Sequence, residues 1–246
     1  MKASALEFRF RMLIILLIVL LGFLAPWGRY LHLGRLTTTW LWLGFQLGGL
    51  GLTSTAGIQI ATGLTIAVAA LAAALRVWGT AYLGTSTVNN AEMKAGQVMA
   101  DGPYRYVRNP LYLGTWLMIA AISTLMSPSG AAVTLVLLAI FLFRLILGEE
   151  AFLARQLGES YLAYKKSVPR LLPSLRARVA RGGRSPRWSF ALLSEISALG
   201  IFVSFAALSW QYNAQLLDQA VLVSFGISLV TRALLQNNSG TQQAIG

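Results

Sequence analysis

Between Gly102 and Gly114, a run of thirteen residues carries Tyr104, Arg105, Tyr106, Arg108, Asn109 and Tyr112. A guanidinium binds anionic oxygens through a planar fork, an aromatic face takes a cation or a heterocycle, and an amide both donates and accepts. Farther along stand the adjacent Glu149 and Glu150, with Arg144 upstream. Neighbouring carboxylates beside an apolar run repel one another unless something cationic binds them. A third grouping, Arg76-x-Trp78 followed by Tyr82-Leu-Gly84, closes another apolar segment. Together these supply Arg and Tyr for the anionic or polar end of a ligand and carboxylates for a cationic end. Taken singly, each also fits an aromatic belt or a headgroup-binding Arg at a membrane surface.

The rest of the composition narrows the chemistry. No cysteine is present, which excludes disulfides, thiolate nucleophiles and Cys-ligated metals, and the single histidine, His32, is distant in sequence from all three groupings. A metal site or a histidine base is therefore not expected. Net charge is +12, and ten of the 20 basic residues fall between Arg144 and Arg187, against Glu149, Glu150 and Glu159. No nucleic-acid-binding motif accompanies that charge, so membrane sidedness and anionic headgroups account for it, not nucleic acid.

The elements that must position these residues are membrane helices. The chain has 246 residues, of which 11% are charged, where soluble domains have about 25%; mean hydropathy is +0.64. Seven apolar segments are expected, at about 10–25, 37–53, 57–83, 111–126, 131–147, 189–209 and 217–235. No cleavage site follows the first, which reads as a retained helix. The second, rich in glycine, is either a span or re-entrant, and Gly44-x-x-x-Gly48 fits a close helix contact. Segments four and five form a short hairpin around Ser127-Pro-Ser-Gly130, which puts 84–110 and 148–187 on one side. The density of Lys and Arg makes that side cytoplasmic, with Tyr212–Asp218 opposite. Seven spans place the N-terminus outside, against the evidence of Lys2, Arg9 and Arg11; a re-entrant second segment removes the conflict. Residues 149–170 read as an interfacial helix, ended at Val168-Pro-Arg-Leu-Leu-Pro173, and 174–188 as a basic linker. The expected fold is thus an all-α polytopic membrane protein with a cytoplasm-facing site.

Leu75-Arg-Val-Trp78, Tyr82-Leu-Gly84 and the whole of Gly102–Gly114 resemble the isoprenylcysteine carboxyl methyltransferase and phospholipid methyltransferase group of integral membrane enzymes. So do Glu149-Glu-Ala-Phe-Leu153, Gly158-Glu-Ser-Tyr-Leu-Ala-Tyr164 and Val168-Pro-Arg-Leu-Leu-Pro173. The resemblance covers roughly 65–173 as a catalytic core, with N-terminal membrane segments in 1–64 and two additional helices in 189–246 outside it. It implies S-adenosylmethionine bound on the cytoplasmic side and a lipidic or isoprenoid substrate entering from the bilayer. On that basis Gln97, Val98 and Met99 line the cofactor, and Tyr104, Arg108, Asn109, Pro110, Leu111 and Tyr112 hold it. Glu149 or Glu150 takes a polar end of it, such as its ammonium. Two departures stand out. The family's Arg-His-Pro reads Arg108-Asn109-Pro110, which keeps a donor and an acceptor but no group that titrates near neutral pH. The family's substrate-binding Arg precedes the first Glu by one turn; Leu145 holds that place, and Arg144 is rotated from Glu149 by about 140°.

Methyl transfer from a sulfonium needs alignment and desolvation more than acid–base help. A carboxylate acceptor arrives deprotonated, so the shortage of bases favours O-methylation, with Arg144 and Glu150 as the catalytic candidates and Glu150 the available base. The alternatives are N-methylation of an amine-headed phospholipid and a catalytically silent lipid- or cofactor-binding membrane protein.

Overall fold

The computed structural model describes residues 2–24, 37–83, 98 and 100–243, and their regular structure is all helical, with no strand among them. His32 and Gly84 lie outside the described residues. The helices are α1 (Ala5–Arg9), α2 (Arg11–Leu24), α3 (Thr39–Gly48), α4 (Ser54–Tyr82), α5 (Pro110–Ser123), α6 (Pro128–Leu157), α7 (Glu159–Ser167), α8 (Trp188–Ser194), α9 (Ile196–Leu208) and α10 (Ala214–Gln243). A 3₁₀ turn at Gly102–Arg105 precedes α5, and another at Ser209–Gln211 follows α9.

Start signals are local. Ser4, Thr38, Thr53 and Ser127 each accept a backbone N–H at a helix N-terminus, and Pro110 and Pro128 stand in first turns, where a missing N–H has no cost. Stop signals are local too: α3 ends at Gly48-Gly49, and Gly51 adopts φ +94° before α4 begins.

The described residues are all-α as expected, but they give three or four candidate spans and not clearly seven. Among the described residues, three helices are long and apolar enough to cross a bilayer: α4, α6 and residues 214–231 of α10. A fourth is available if α8 and the chain through Gln211, bent by 69°, count as one span. The apolar runs at 10–25, 37–53 and 111–126 become helices of 14, 10 and 14 residues, or about 15–21 Å at 1.5 Å per residue, against a hydrocarbon core of about 30 Å. Apolar length in sequence overstates helix length wherever glycine, proline or a turn cuts the run.

The glycine-rich second segment packs as one arm of a hairpin on α4. A methyl group at Gly57 would collide with the Gly44 carbonyl oxygen and lie 2.7 Å from the Gly48 nitrogen. The Gly44-x-x-x-Gly48 contact is therefore real, with α4 as its partner. The main core joins α4 to α5, α6 and α9 through Ala69, Ala72, Ala73, Ile119, Ile122, Leu138, Leu142, Leu145, Ile201 and Phe205. Small residues on α4 allow that close approach, and packing of this kind, not water exclusion, holds helices together in lipid.

The interfacial helix expected at 149–170 is divided. Residues up to Leu157 extend α6, which runs through both glutamates because Glu is a good helix former and nothing interrupts it. Gly158, at φ +56°, then turns the chain into α7. A second small core, Tyr161, Tyr164 and Val168 with Val98, Leu153 and Val179 against it, anchors α7 beneath the Gly102–Gly114 loop.

Candidate active site

The loop is built onto the end of α4. Gly102 sits at φ +55°, with the Tyr82 ring where a side chain would be, so only glycine fits there on both counts. The Tyr106 ring lies 5.9 Å from that of Trp78. The Leu111 side chain packs on Gly79, 2.8 Å from where a Cβ would be. Tyr104 is buried, and its carbonyl oxygen accepts from the Tyr164 hydroxyl at 2.8 Å. Burial pushes the Tyr104 phenol well above its ordinary pKa; Glu149, Tyr164 and Glu195 add to that, and Arg76 opposes it.

From this loop Arg108 and Asn109 reach the chain that follows α7. The Arg108 backbone N–H donates to Pro169 O at 2.9 Å, and its Nη1 donates to Lys165 O. Asn109, at the family's histidine position, is buried, and its Nδ2 donates to Arg170 O at 3.1 Å. That bond needs only a donor, not a group that titrates near neutral pH.

Those two anchors carry Arg170 over Glu150. The Glu150 carboxylate, 2% exposed, accepts from Arg170 Nε at 3.0 Å and Nη2 at 2.9 Å, a bidentate fork. Arg108 Nη2 lies 3.1 Å from Oε1 and Lys165 Nζ 3.8 Å from Oε2. The hydrogen bonds that Arg170 donates to Glu150 raise the Arg170 pKa, keeping that cation charged. One carboxylate among three cations leaves the cluster with a net charge of +2. The Arg108 side chain is 8% exposed, yet its Nε is buried with no hydrogen-bond partner among the described residues. A buried donor on a charged group is costly to leave unmatched. The donor set therefore suits an anionic oxygen, not a second cation.

Glu149 takes a different position. Half-buried, its Oε2 accepts from the Tyr112 hydroxyl at 2.8 Å, and Arg11 is close enough to act on it electrostatically. The structure therefore brings Tyr104, Arg108, Asn109, Tyr112, Glu149 and Glu150 together as one site. Pro110 and Leu111 start α5 within it, and Val98 packs on Tyr161, Tyr164 and Val168. Gln97 and Met99 lie outside the described residues. Arg144 is directed elsewhere: its Nη2 pairs with Glu7 Oε1 at 2.8 Å and Oε2 at 2.9 Å, on the N-terminal helix.

Sequence reasoning missed Arg170 and Lys165 as members of the site. Arg170 stands between two prolines, Pro169 and Pro173, which mark a helix stop but not the direction in which the side chain folds back. Asp101 was also missed. Its buried carboxylate accepts from the N–H groups of Gly182 and Arg184 at 2.7 and 3.0 Å. Ser174 N and Arg178 N donate to the carbonyls of Tyr106 and Arg105, both at 2.9 Å. The basic linker is thus a strap tied across the loop.

Against protein families, residues 53–160 match the model described as phospholipid methyltransferase. No curated protein and no solved structure gives a significant match. The matched span begins at the N-cap of α4 and ends in α7, so it holds the loop and both glutamates but stops short of Lys165, Arg170 and Glu195. Over residues 53–160, then, this chain is similar to the phospholipid methyltransferase family.

Proposed function

We propose that this protein transfers a methyl group from S-adenosylmethionine to an acceptor carried on a lipid or isoprenoid, at a site on the cytoplasmic face. The observation that carries this reading is the unmatched buried Nε of Arg108 within a cluster of net charge +2, beside the separate Glu149–Tyr112 pair. S-adenosylmethionine has an anionic carboxylate and a cationic ammonium and sulfonium, and these charges match the two halves of the site. When bound, it supplies an electrophilic methyl group on sulfur. Arg108, with Arg170 behind it, would hold the carboxylate; Glu149 would hold a cationic end; and Tyr104 would provide an aromatic wall. Glu150 is then the group that orients the cations. Of the two glutamates that the resemblance offers for the ammonium, this reading leaves that role to Glu149.

The same geometry supports a carboxylate as acceptor. Glu150 is held by Arg170, Arg108 and Lys165, so it is not poised to take a proton from an ammonium. A carboxylate needs no such step. The description of the matched family favours the second reading, methylation of an amine-headed phospholipid. The concentration of Lys and Arg in 144–187 supports the cytoplasmic placement.

Purified protein in lipid nanodiscs should bind S-adenosylmethionine by calorimetry and transfer labelled methyl to a membrane-lipid extract. Label released by mild base marks an ester and an acid acceptor, whereas label resistant to base marks nitrogen. A wild-type protein that binds no methyl donor would refute both readings.

A further inference from the structure

The helices after residue 187 lie beyond the matched family span, yet they insert a carboxylate into it. Glu195, 2% exposed, stands at the 69° bend between α8 and α9. Its Oε2 accepts from Arg76 Nε at 2.6 Å, and its Oε1 from the Thr80 hydroxyl at 2.7 Å, both on α4. Arg76 Nη1 in turn donates to Thr115 Oγ1 at 2.6 Å on α5, and Thr115 donates to Leu111 O at 2.9 Å. Gly114 makes room for the arginine stem, which would lie 2.6 Å from any Cβ there. An unbroken chain of hydrogen bonds therefore runs from the C-terminal helices to Leu111, the second residue of α5, immediately after Asn109-Pro110.

A buried ion pair is an expensive anchor within apolar helices. Replacing such a pair with apolar groups is often neutral or stabilising, so stability alone is a weak reason to keep one. A pair with fixed donor directions does offer orientation. We propose that Glu195 is a positioning residue: it aims Arg76 at Thr115 and so sets the start of α5, and with it the Arg108–Asn109–Pro110 loop, for methyl-donor binding. The C-terminal helices are on this account part of the site's scaffold. The inference rests on the methyl-transfer reading, so its test needs one readout that is independent of turnover.

The experiment uses the full-length protein in nanodiscs as wild type, Glu195→Gln and the double variant Arg76→Gln with Glu195→Gln. The double variant leaves no unpaired charge, so it keeps its fold while losing the aimed guanidinium. Amide hydrogen exchange in 102–115 should accelerate in both, and the S-adenosylmethionine Kd should rise by about tenfold to a hundredfold, the scale on which misplacing a site by about 1 Å acts. The thermal midpoint of the double variant should stay near wild type. Acceleration confined to 188–208, with 102–115 and donor affinity unchanged, overturns the inference. A wild type that binds no donor, while exchange in 102–115 still responds to both variants, overturns the methyl-transfer reading and upholds the coupling to the loop.

Discussion

Replacing Glu150 with Gln removes the one negative charge that Arg108, Arg170 and Lys165 share, while preserving volume. The magnitude follows from how far each cation can recover water. Lys165 and Arg170, with side chains 38% and 31% exposed, can turn outward and lose little. Arg108, at 8%, cannot, and it already carries an unmatched Nε. Breaking a buried pair from one side costs about 3–5 kcal/mol, so E150Q should destabilise by about 3 kcal/mol, nearly all of it through Arg108. For a chain of this size that is a fall of about 6–12 °C in thermal midpoint. Adding Arg108→Met should recover much of the loss, because the orphaned charge leaves with it. Thermal unfolding in detergent, monitored on the four-member cycle, measures both. If E150Q melts with the wild type but loses methyl-donor affinity, Glu150 is a direct ligand and the assignment of its role to orienting cations is wrong.

Asn109→Ala should cost about 1–2 kcal/mol, because Arg170 O is left without its donor; Asn109→His should restore the bond and the thermal midpoint. Tyr164→Phe removes the bond to Tyr104 O and should cost about 1 kcal/mol in the same assay. Burial first, then Glu150 for Tyr161 and Tyr161 for Tyr164, raises both phenols above their unfolded values. The folded state therefore holds these protons more tightly. The stability they give is complete below about pH 10 and is lost as pH rises through the raised values, with phenolate absorbance in these two lagging that of exposed tyrosines. Gly57→Ala forces α3 away from α4 and should lower the thermal midpoint by an amount equivalent to about 1–3 kcal/mol.

Helical class and the site's two halves were legible in the sequence because both are written locally. Apolar runs must be helical in lipid, since no other open segment satisfies its own backbone. The loop and the glutamate pair each stood out as polar groups among apolar neighbours. The number of spans was not legible, because Gly48-Gly49 and Pro110 trim helices from runs that look longer. Nor did Glu149-Glu150 mark the end of α6, although their charge suggested it. Partnerships across distance were hidden as well. Arg170 meets Glu150 over 20 residues and Arg76 meets Glu195 over 119, and no spacing rule links either pair. The bend at Glu195 has neither proline nor glycine to announce it.

The strap also sets an order of assembly. The carbonyls of Arg105 and Tyr106, and the carboxylate of Asp101, find their partners at Ser174, Arg178, Gly182 and Arg184. During synthesis those residues leave the ribosome only after α4, α5 and α6 have been made. Until then the loop lacks these bonds, so it is tied down only once residues 174–184 have been laid across it. A ribosome stalled before that point would display α4, α5 and α6 with the loop between α4 and α5 still untied.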